Sequence, residues 1–226
     1  MDNKSDFSQG SMRLLILRMA VPITLGQLIN LLYNLVDRVY IGHTENGRLA
    51  LTGIGVTLPI ISIIMAFSSI GSSGGAPLFS MARGRGNKQE AAHILGNTCA
   101  LMILFGVLLA VLSFIFRKPL LYLFGASDDV FPYADAYLSI YLIGTLFTTL
   151  TLGLNSFIHA QGFRLIGMLS IVIGAAINIV LDPVFIFLLG MGVRGAAIAS
   201  VLGQLGSAIW VMQFLTGRRA LIRLTV

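Results

Sequence analysis

Long uncharged apolar runs constrain the fold of this chain more than any other feature of its sequence. Each reaches the length of about 20 residues that an α-helix needs to cross a bilayer. Four runs are each bounded by two charged or titratable residues: Arg48 to Arg83, His93 to Arg117, Asp135 to Arg164, and Arg194 to Arg218. Two more runs cover 14–41 and 165–189. We therefore predict an all-α, polytopic membrane protein whose six transmembrane helices form one bundle over residues 1–226, with spans at about 14–41, 51–81, 94–116, 133–159, 165–189 and 195–217.

The composition agrees with a membrane protein. The mean hydropathy is +0.89, hydrophobic residues make up 56% of the chain, and charged residues make up 11%. A soluble domain carries roughly a quarter charged residues. The charged residues that the chain does carry lie mainly between the apolar runs.

The net charge of +6 could indicate nucleic-acid binding, but the positions of the basic residues indicate membrane topology. With six spans and a cytoplasmic N-terminus, the inner segments carry 10 of the 15 Lys and Arg residues, which obeys the positive-inside rule. We expect a multi-pass protein of the cell's inner membrane, in contact with lipids, with both termini cytoplasmic and no nucleic-acid partner. The inner basic residues are Lys4, Arg13, Arg18, Arg83, Arg85, Lys88, Arg164, Arg218, Arg219 and Arg223, and the outer ones are Arg38, Arg48, Arg117, Lys118 and Arg194.

Two acids, Asp37 and Asp182, lie inside predicted spans. A carboxylate at bilayer depth costs at least a few kcal/mol, so such residues usually bind an ion, relay a proton or hold a cationic substrate. Both stand in the outer halves of outward-running helices, and at about 1.5 Å per residue they differ by about 5 Å in height. The sequence therefore predicts one shared carboxylate site.

A stripe of amides in the first span leads to the first of these acids. The residues of the stripe are spaced 3, 4 and 3, which places them on one helix face: Gln27, Asn30, Asn34 and Asp37. Such a stripe cannot face lipid without cost, so we expect it to face the bundle interior or a water-filled cavity. Hydrogen bonding between helices is the alternative use of amides in membrane bundles.

Three later spans also carry polar faces at helical spacing. In the fifth span, small residues lead to an amide and an acid: Gly167, Ser170, Gly174, Asn178 and Asp182. Pro183 follows, and we expect it to loosen or kink the helix beside the acid. The faces of the fourth and sixth spans carry Thr148, Thr151, Asn155 and His159, and Ser200, Gln204 and Ser207, respectively. His159 stands at the inner end of its span, where an interfacial histidine is expected.

The second predicted span is over-long and contains Pro59 and the glycine-rich run 71–77. Glycine-rich runs can bind phosphates, but no Gly-Lys-Ser/Thr sequence follows this one. We therefore predict close helix packing or a kink at 71–77.

Three sets of residues resemble motifs of the multidrug and toxic compound extrusion (MATE) family. They are Pro22 to Gly42, which reads PITLGQLINLLYNLVDRVYIG; Gly153-Leu-Asn155 with His159-Ala-Gln161-Gly162; and Asn178-Ile-Val-Leu-Asp182-Pro183. The resemblance covers essentially the whole chain. It implies a secondary active antiporter, not an enzyme, that exchanges an external proton or sodium ion for an internal cationic, aromatic drug and needs no cofactor.

The resemblance also implies which residues form the cation site. In this chain they would be Asp37, Asn178 and Asp182, which could hold a proton or Na⁺. Three further residues match positions that complete a hydrogen-bond network in some members: Tyr137, Asn155 and Ser200. The linear depth of Asn155 places it deeper than the acids.

The chain departs from the family pattern in its length. MATE proteins have twelve helices in two similar bundles with the drug pathway between them, whereas this chain is predicted to supply six. Either it is the N-terminal half of a longer protein, or two copies assemble as a parallel homodimer. Residues 217–226 resemble the start of the linker to a second bundle.

Two other functions are alternatives to drug antiport. Relatives in the same superfamily flip lipid-linked oligosaccharides, which would require a cationic cavity for a pyrophosphate. Two intramembrane aspartates could instead form an aspartyl protease dyad that shares one proton. Such proteases usually carry Gly-x-Gly-Asp at the second acid, where this chain has Ile179-Val-Leu-Asp182.

Overall fold

The computed structural model describes the backbone of residues 12–224 and the side chains from residue 20 onward, apart from those of Pro22 and Ile23. Lys4, the side chains of Arg13 and Arg18, and the last two residues of the predicted linker lie outside the described part. Within it, every regular element is helical. The α-helices are α1 (Met12–Gly42), α2 (Gly47–Ile70), α3 (Ala76–Gly84), α4 (Lys88–Ile115), α5 (Arg117–Leu123), α6 (Phe131–Tyr141), α7 (Thr145–Ala160), α8 (Arg164–Pro183) and α9 (Val193–Thr216).

Short π-helical or 3₁₀ segments join several of these α-helices into longer continuous helices, which we call rods. A π-helical turn over Gly71–Gly75 joins α2 to α3, and a 3₁₀ turn over Leu142–Gly144 joins α6 to α7. A second π-helical segment, Val184–Leu188, continues α8. The rods are therefore longer than the individual α-helices.

Five of these rods are long and apolar enough to cross a membrane: Gly47–Gly84, Lys88–Ile115, Phe131–Ala160, Arg164–Leu188 and Val193–Thr216. The prediction of an all-α, polytopic membrane protein is confirmed, and these rods match the last five predicted spans. The first predicted span, 14–41, corresponds to α1, some of whose side chains lie outside the described part. α1 packs mainly against α8 and also contacts α2.

The helix α5 was not predicted. It is only seven residues long and starts with two charged residues, so it lacks the apolar length that marks a span. Leu121 anchors it in the bundle. Arg117 Nε donates a hydrogen bond to Asp135 Oδ1 at 2.7 Å, which joins the start of α5 to α6.

The glycine-rich run of the second span serves close helix packing, as its sequence indicates. A Cβ atom on Gly71 would lie 2.9 Å from the carbonyl oxygen of Gly153 on α7. The backbones of the two helices are therefore in direct contact. The π-helical turn at Gly71–Gly75 lies at this crossing.

Residues 217–224, which we call the strap, pack against one end of the bundle. This basic end carries Arg83, Lys88, Arg164 and Arg218, at the ends or starts of α3, α4, α8 and α9. In the strap, Ala220, Ile222 and Leu224 are buried and alternate with exposed residues, as in an extended peptide. The backbone N–H of Leu224 donates to Leu215 O at 2.9 Å.

A buried side chain at the turn between α7 and α8 holds the strap. The Oε1 atom of Gln161 accepts a hydrogen bond from the backbone N–H of Ile222 at 3.0 Å. Gln161 is fully buried, so its loss would leave that N–H without an acceptor. An unsatisfied buried donor costs about 1–3 kcal/mol.

We expect Gln161→Leu to release the strap while the bundle stays folded. Amide hydrogen exchange over 217–224 should accelerate about 5- to 150-fold, because local opening becomes more favourable by the cost of the lost acceptor. Exchange by mass spectrometry in detergent measures this directly. Gln213→Leu, at an exposed position of α9, is the matched control and should leave strap exchange unchanged; equal exchange in both variants would contradict the anchoring role of Gln161.

Candidate functional site

A cavity of about 190 Å³ opens inside the bundle between α1, α2, α6, α7, α8 and α9. Its wall on the α2 side is apolar, and the other walls combine apolar residues with polar side chains. The polar lining residues are Asn30, Tyr33, Asn34, Asp37, Arg38, Tyr137, Tyr141, Thr148, Thr151, Asn178, Ser200, Gln204 and Ser207.

The two intramembrane acids are neighbours, and Asp37 lines this cavity. Asp37 comes from α1 and is 8% exposed, and Asp182 comes from the end of α8 and is fully buried. Two neighbouring buried carboxylates repel each other, so a bound proton or cation would stabilise the pair.

The local sequence of α8 explains why Asp182 is placed there. Pro183 lacks a backbone N–H, so the regular α-helical hydrogen bonding stops beside the acid. The chain continues as the π-helical segment Val184–Leu188, which begins at the next residue. The predicted irregularity beside Asp182 is therefore present.

An amide and a hydroxyl extend the carboxylate pair. Asn178 Nδ2 lies 3.2 Å from Asp182 Oδ1 and 3.4 Å from Ser200 Oγ, so it donates toward both oxygens. Asn178 is one helical turn before Asp182 on α8, and Ser200 is on α9. The amide thus connects two helices next to the acids.

Three acceptor oxygens in this group are buried and have no hydrogen-bond partner among the described residues. They are Asp37 Oδ1, Asp182 Oδ2 and Asn178 Oδ1. A buried acceptor without a partner is unfavourable, and native proteins satisfy nearly all of them. Carboxylate and amide oxygens are suitable ligands for a hard cation such as Na⁺, and a carboxylate can equally accept a proton.

Aromatic hydroxyls continue the polar wall away from the acids. The rings of Tyr137 and Tyr141 stack with their centroids 5.8 Å apart. Tyr137 lies beside Ser200, and Tyr141 lies beside Gln204. Tyr137 and Ser200 therefore belong to the same polar surface as the acids.

Tyr33 is a lining residue that the analysis of the sequence missed. It lies beside Asn30 and Asn34 and four residues before Asp37. That spacing is a helical one and could have identified it. The tyrosine was overlooked because the amides and the acid define the stripe without it.

The remaining predicted residues of the polar network are Asn30, Asn34, Gln27 and Asn155. Asn30 and Asn34 line the cavity and bond to each other, with Asn34 Nδ2 donating to Asn30 O at 2.7 Å. Gln27 is exposed and does not line the cavity. Asn155 donates to the carbonyl oxygen of Gly167 at 3.2 Å, about three turns before Asn178 on α8.

Known proteins with a similar sequence or structure are transporters. The multidrug export protein MepA of Staphylococcus haemolyticus is 27% identical over 88% of this chain, which corresponds to 44% of MepA. A MATE crystal structure in the bent conformation superposes with a TM-score of 0.90 at 24% identity and covers all of this chain and 50% of that one. A transporter of the MOP superfamily from Pyrococcus furiosus is 26% identical, with a TM-score of 0.86 over 93% of this chain and 46% of that one. The binding pocket of that transporter has a reverse polarity that suggests a different function for it.

The chain thus spans about half the length of the proteins that it matches. The sequence pattern of the MatE family matches residues 22–184, which include both acids and most of the cavity lining. The chain therefore belongs to the MatE family, the multidrug and toxic compound extrusion transporters whose motifs its sequence resembles.

Proposed function

We propose that this chain is the N-terminal lobe of a secondary active multidrug efflux antiporter, which exchanges external protons or sodium ions for internal cationic, aromatic drugs. The observation that carries the proposal is the set of three buried, unpartnered acceptor oxygens on Asp37, Asn178 and Asp182. They supply the negative charge and the ligands that a coupling cation requires. The similarity to the multidrug export protein MepA supports a drug as the cargo.

The coupling follows from the cost of buried charge. A proton or Na⁺ bound between Asp37 and Asp182 neutralises charge that would otherwise be costly to keep away from water. Binding therefore changes the relative free energies of the states that open to either side of the membrane. Release of the cation restores an anionic surface, which attracts a cationic drug.

A second bundle would complete the cavity. Asn34 and Arg38 line the cavity and are also exposed, so its wall at α1 is open. α1 also exposes Leu28, Leu31 and Leu35, which need a cover of lipid or protein. We propose that a second six-helix bundle, or a second copy of this chain, packs beside this wall in the inner membrane, with the basic end toward the cytoplasm.

The polarity of the cavity favours a cationic cargo over the alternatives. Arg38 is the one basic residue among the described lining residues, and it is exposed, whereas the two acids are buried. A lipid-linked pyrophosphate would require the opposite balance. Membership of a transporter family favours transport over peptide cleavage by the two aspartates.

The test is efflux activity in everted vesicles, measured as uptake of a fluorescent aromatic cation into their lumen under an imposed proton or sodium gradient. The chain is expressed alone and joined to a second MATE bundle, and vesicles with a collapsed gradient serve as the control. We expect efflux only with a gradient, and the gradient that drives it identifies the coupling ion. No efflux from folded protein that carries both bundles would contradict drug antiport for the cations tested.

A further inference from the structure

α7 carries a file of polar atoms between the cavity and the basic end of the bundle. Thr151 Oγ1, Asn155 Oδ1 and His159 Nδ1 are buried and have no hydrogen-bond partner among the described residues. The three residues are four positions apart, so they follow one helix face at steps of about 6 Å. We call them the α7 file.

The opposite face of α7 contains both kinds of buried threonine, because the hydroxyl of Thr145 has no hydrogen-bond partner among the described residues and that of Thr149 has one. Thr149 is also buried, but its hydroxyl is within 3.1 Å of Met102 O and 3.0 Å of Leu146 O. A threonine that only packs between helices can thus satisfy its hydroxyl in this bundle. The file leaves its polar atoms available at three successive turns.

The file begins in the cavity that Asp37 lines. Thr148 and Thr151 line the same cavity as Asp37 and Asn178, whereas Asn155, one turn farther, does not. The floor of the cavity therefore lies between Thr151 and Asn155. Asn155 is the first side chain of the file beyond the floor.

A contact between α7 and α8 forms this floor. Asn155 Nδ2 donates to Gly167 O at 3.2 Å. The ring of His159 lies against the same glycine, where a Cβ atom would be 2.5 Å from the ring. The Asn155–Gly167 hydrogen bond and the ring of His159 thus both lie between the cavity floor and the basic end.

The charged groups around the mouth of the file are basic. Arg164, in the first turn of α8, acts electrostatically on His159. Arg83, at the end of α3, donates to the carbonyl oxygen of Ala160, the residue after His159. A water-filled mouth at this place would be bounded by these two half-buried arginines and by the end of α7.

We propose that the α7 file is the route by which the coupling cation passes between the carboxylate pair and the basic end, and that the Asn155–Gly167 contact is its gate. Two acceptor oxygens at successive turns, followed by a histidine nitrogen, suit a proton carried by water or a hydrated Na⁺. The proposal rests on the proposed function, because it assigns the route of the same coupling cation. It adds a residue that gates the cation, Asn155, and a hydroxyl that lines its route, Thr151.

The first experiment removes the gate. The chain with its second bundle is reconstituted into liposomes, a proton or sodium gradient is imposed, and its collapse is followed without any drug. Asn155→Ala loses the hydrogen bond to Gly167 and should leak the coupling cation at least about threefold faster than the unaltered protein. The additional change Asp182→Asn should abolish this leak, because the route would no longer lead to the cation site.

The second experiment tests the hydroxyl of the route. Thr151→Val keeps the shape of the side chain and should slow gradient-driven efflux about tenfold. Thr151→Ser should restore the rate, whereas Thr149→Val should leave it unchanged. A parallel loss in the valine and serine variants would overturn the role of the hydroxyl.

The leak assay separates this inference from the proposed function because it requires no drug. A leak in Asn155→Ala that disappears with Asp182→Asn supports the route even if no drug is transported. Folded Asn155→Ala protein that holds both gradients as well as the unaltered protein overturns the route, even if drug efflux is normal.

Discussion

Asp182→Asn is expected to reduce gradient-driven drug efflux to the background of empty vesicles, a fall of at least about 100-fold, if the buried pair couples the two fluxes. The amide keeps the size of the carboxyl but can neither accept a proton at neutral pH nor carry the charge that binds Na⁺. Asp182 is fully buried, so water cannot replace its carboxylate in the site. Efflux in everted vesicles measures the effect.

The same substitution should preserve the fold. A buried carboxylate without a bound cation costs several kcal/mol, so its removal should leave the Tm of the detergent-solubilised protein equal or raise it. Asp37→Asn should behave in the same way. Asp135→Asn is the matched control, since it removes an acid on α6 that pairs with Arg117 outside the cavity, and efflux should persist. Coupled efflux by Asp182→Asn protein would show that the buried pair does not couple the fluxes.

The membrane class and the shared position of the acids could be predicted because both depend on local sequence. A run of apolar residues long enough to span a bilayer has few alternatives to a helix. Asp37 and Asp182 are unusual inside such runs, and their distance from the ends of the spans gives their depth. Helical spacing then gives the face of each helix on which the amides lie.

The features that escaped prediction depend on contacts between distant parts of the chain. The partner of Asn155 is a backbone oxygen of α8, which no spacing in the sequence identifies. The strap is held by Gln161, 61 residues before Ile222. α5 is too short for hydropathy to detect, and its position depends on the pairing of Arg117 with Asp135.

Gly203→Leu is expected to have the largest effect on stability. A Cβ atom at Gly203 would lie 2.7 Å from Gly174 O, so the backbones of α8 and α9 touch there. Backbone atoms cannot move aside as a flexible side chain can, and the leucine would force the two helices apart. Overpacking typically costs 1–3 kcal/mol, and we expect a loss of about 3 kcal/mol at this rigid contact.

The separation of α8 from α9 should also disrupt the cation site. Ser207 Oγ donates to Ser170 O at 2.7 Å across the same interface, and Asn178 reaches Ser200 across it. We therefore expect Gly203→Leu to lower the Tm, broaden the size-exclusion peak and weaken cation binding together.

Gly55→Ala is the matched control, because a Cβ atom there meets nothing within 4 Å. This change should stabilise α2 by up to about 1 kcal/mol. An unchanged Tm for Gly203→Leu would contradict this prediction. It would show that α8 and α9 can separate freely, and that their close contact does not position Asn178 against Ser200.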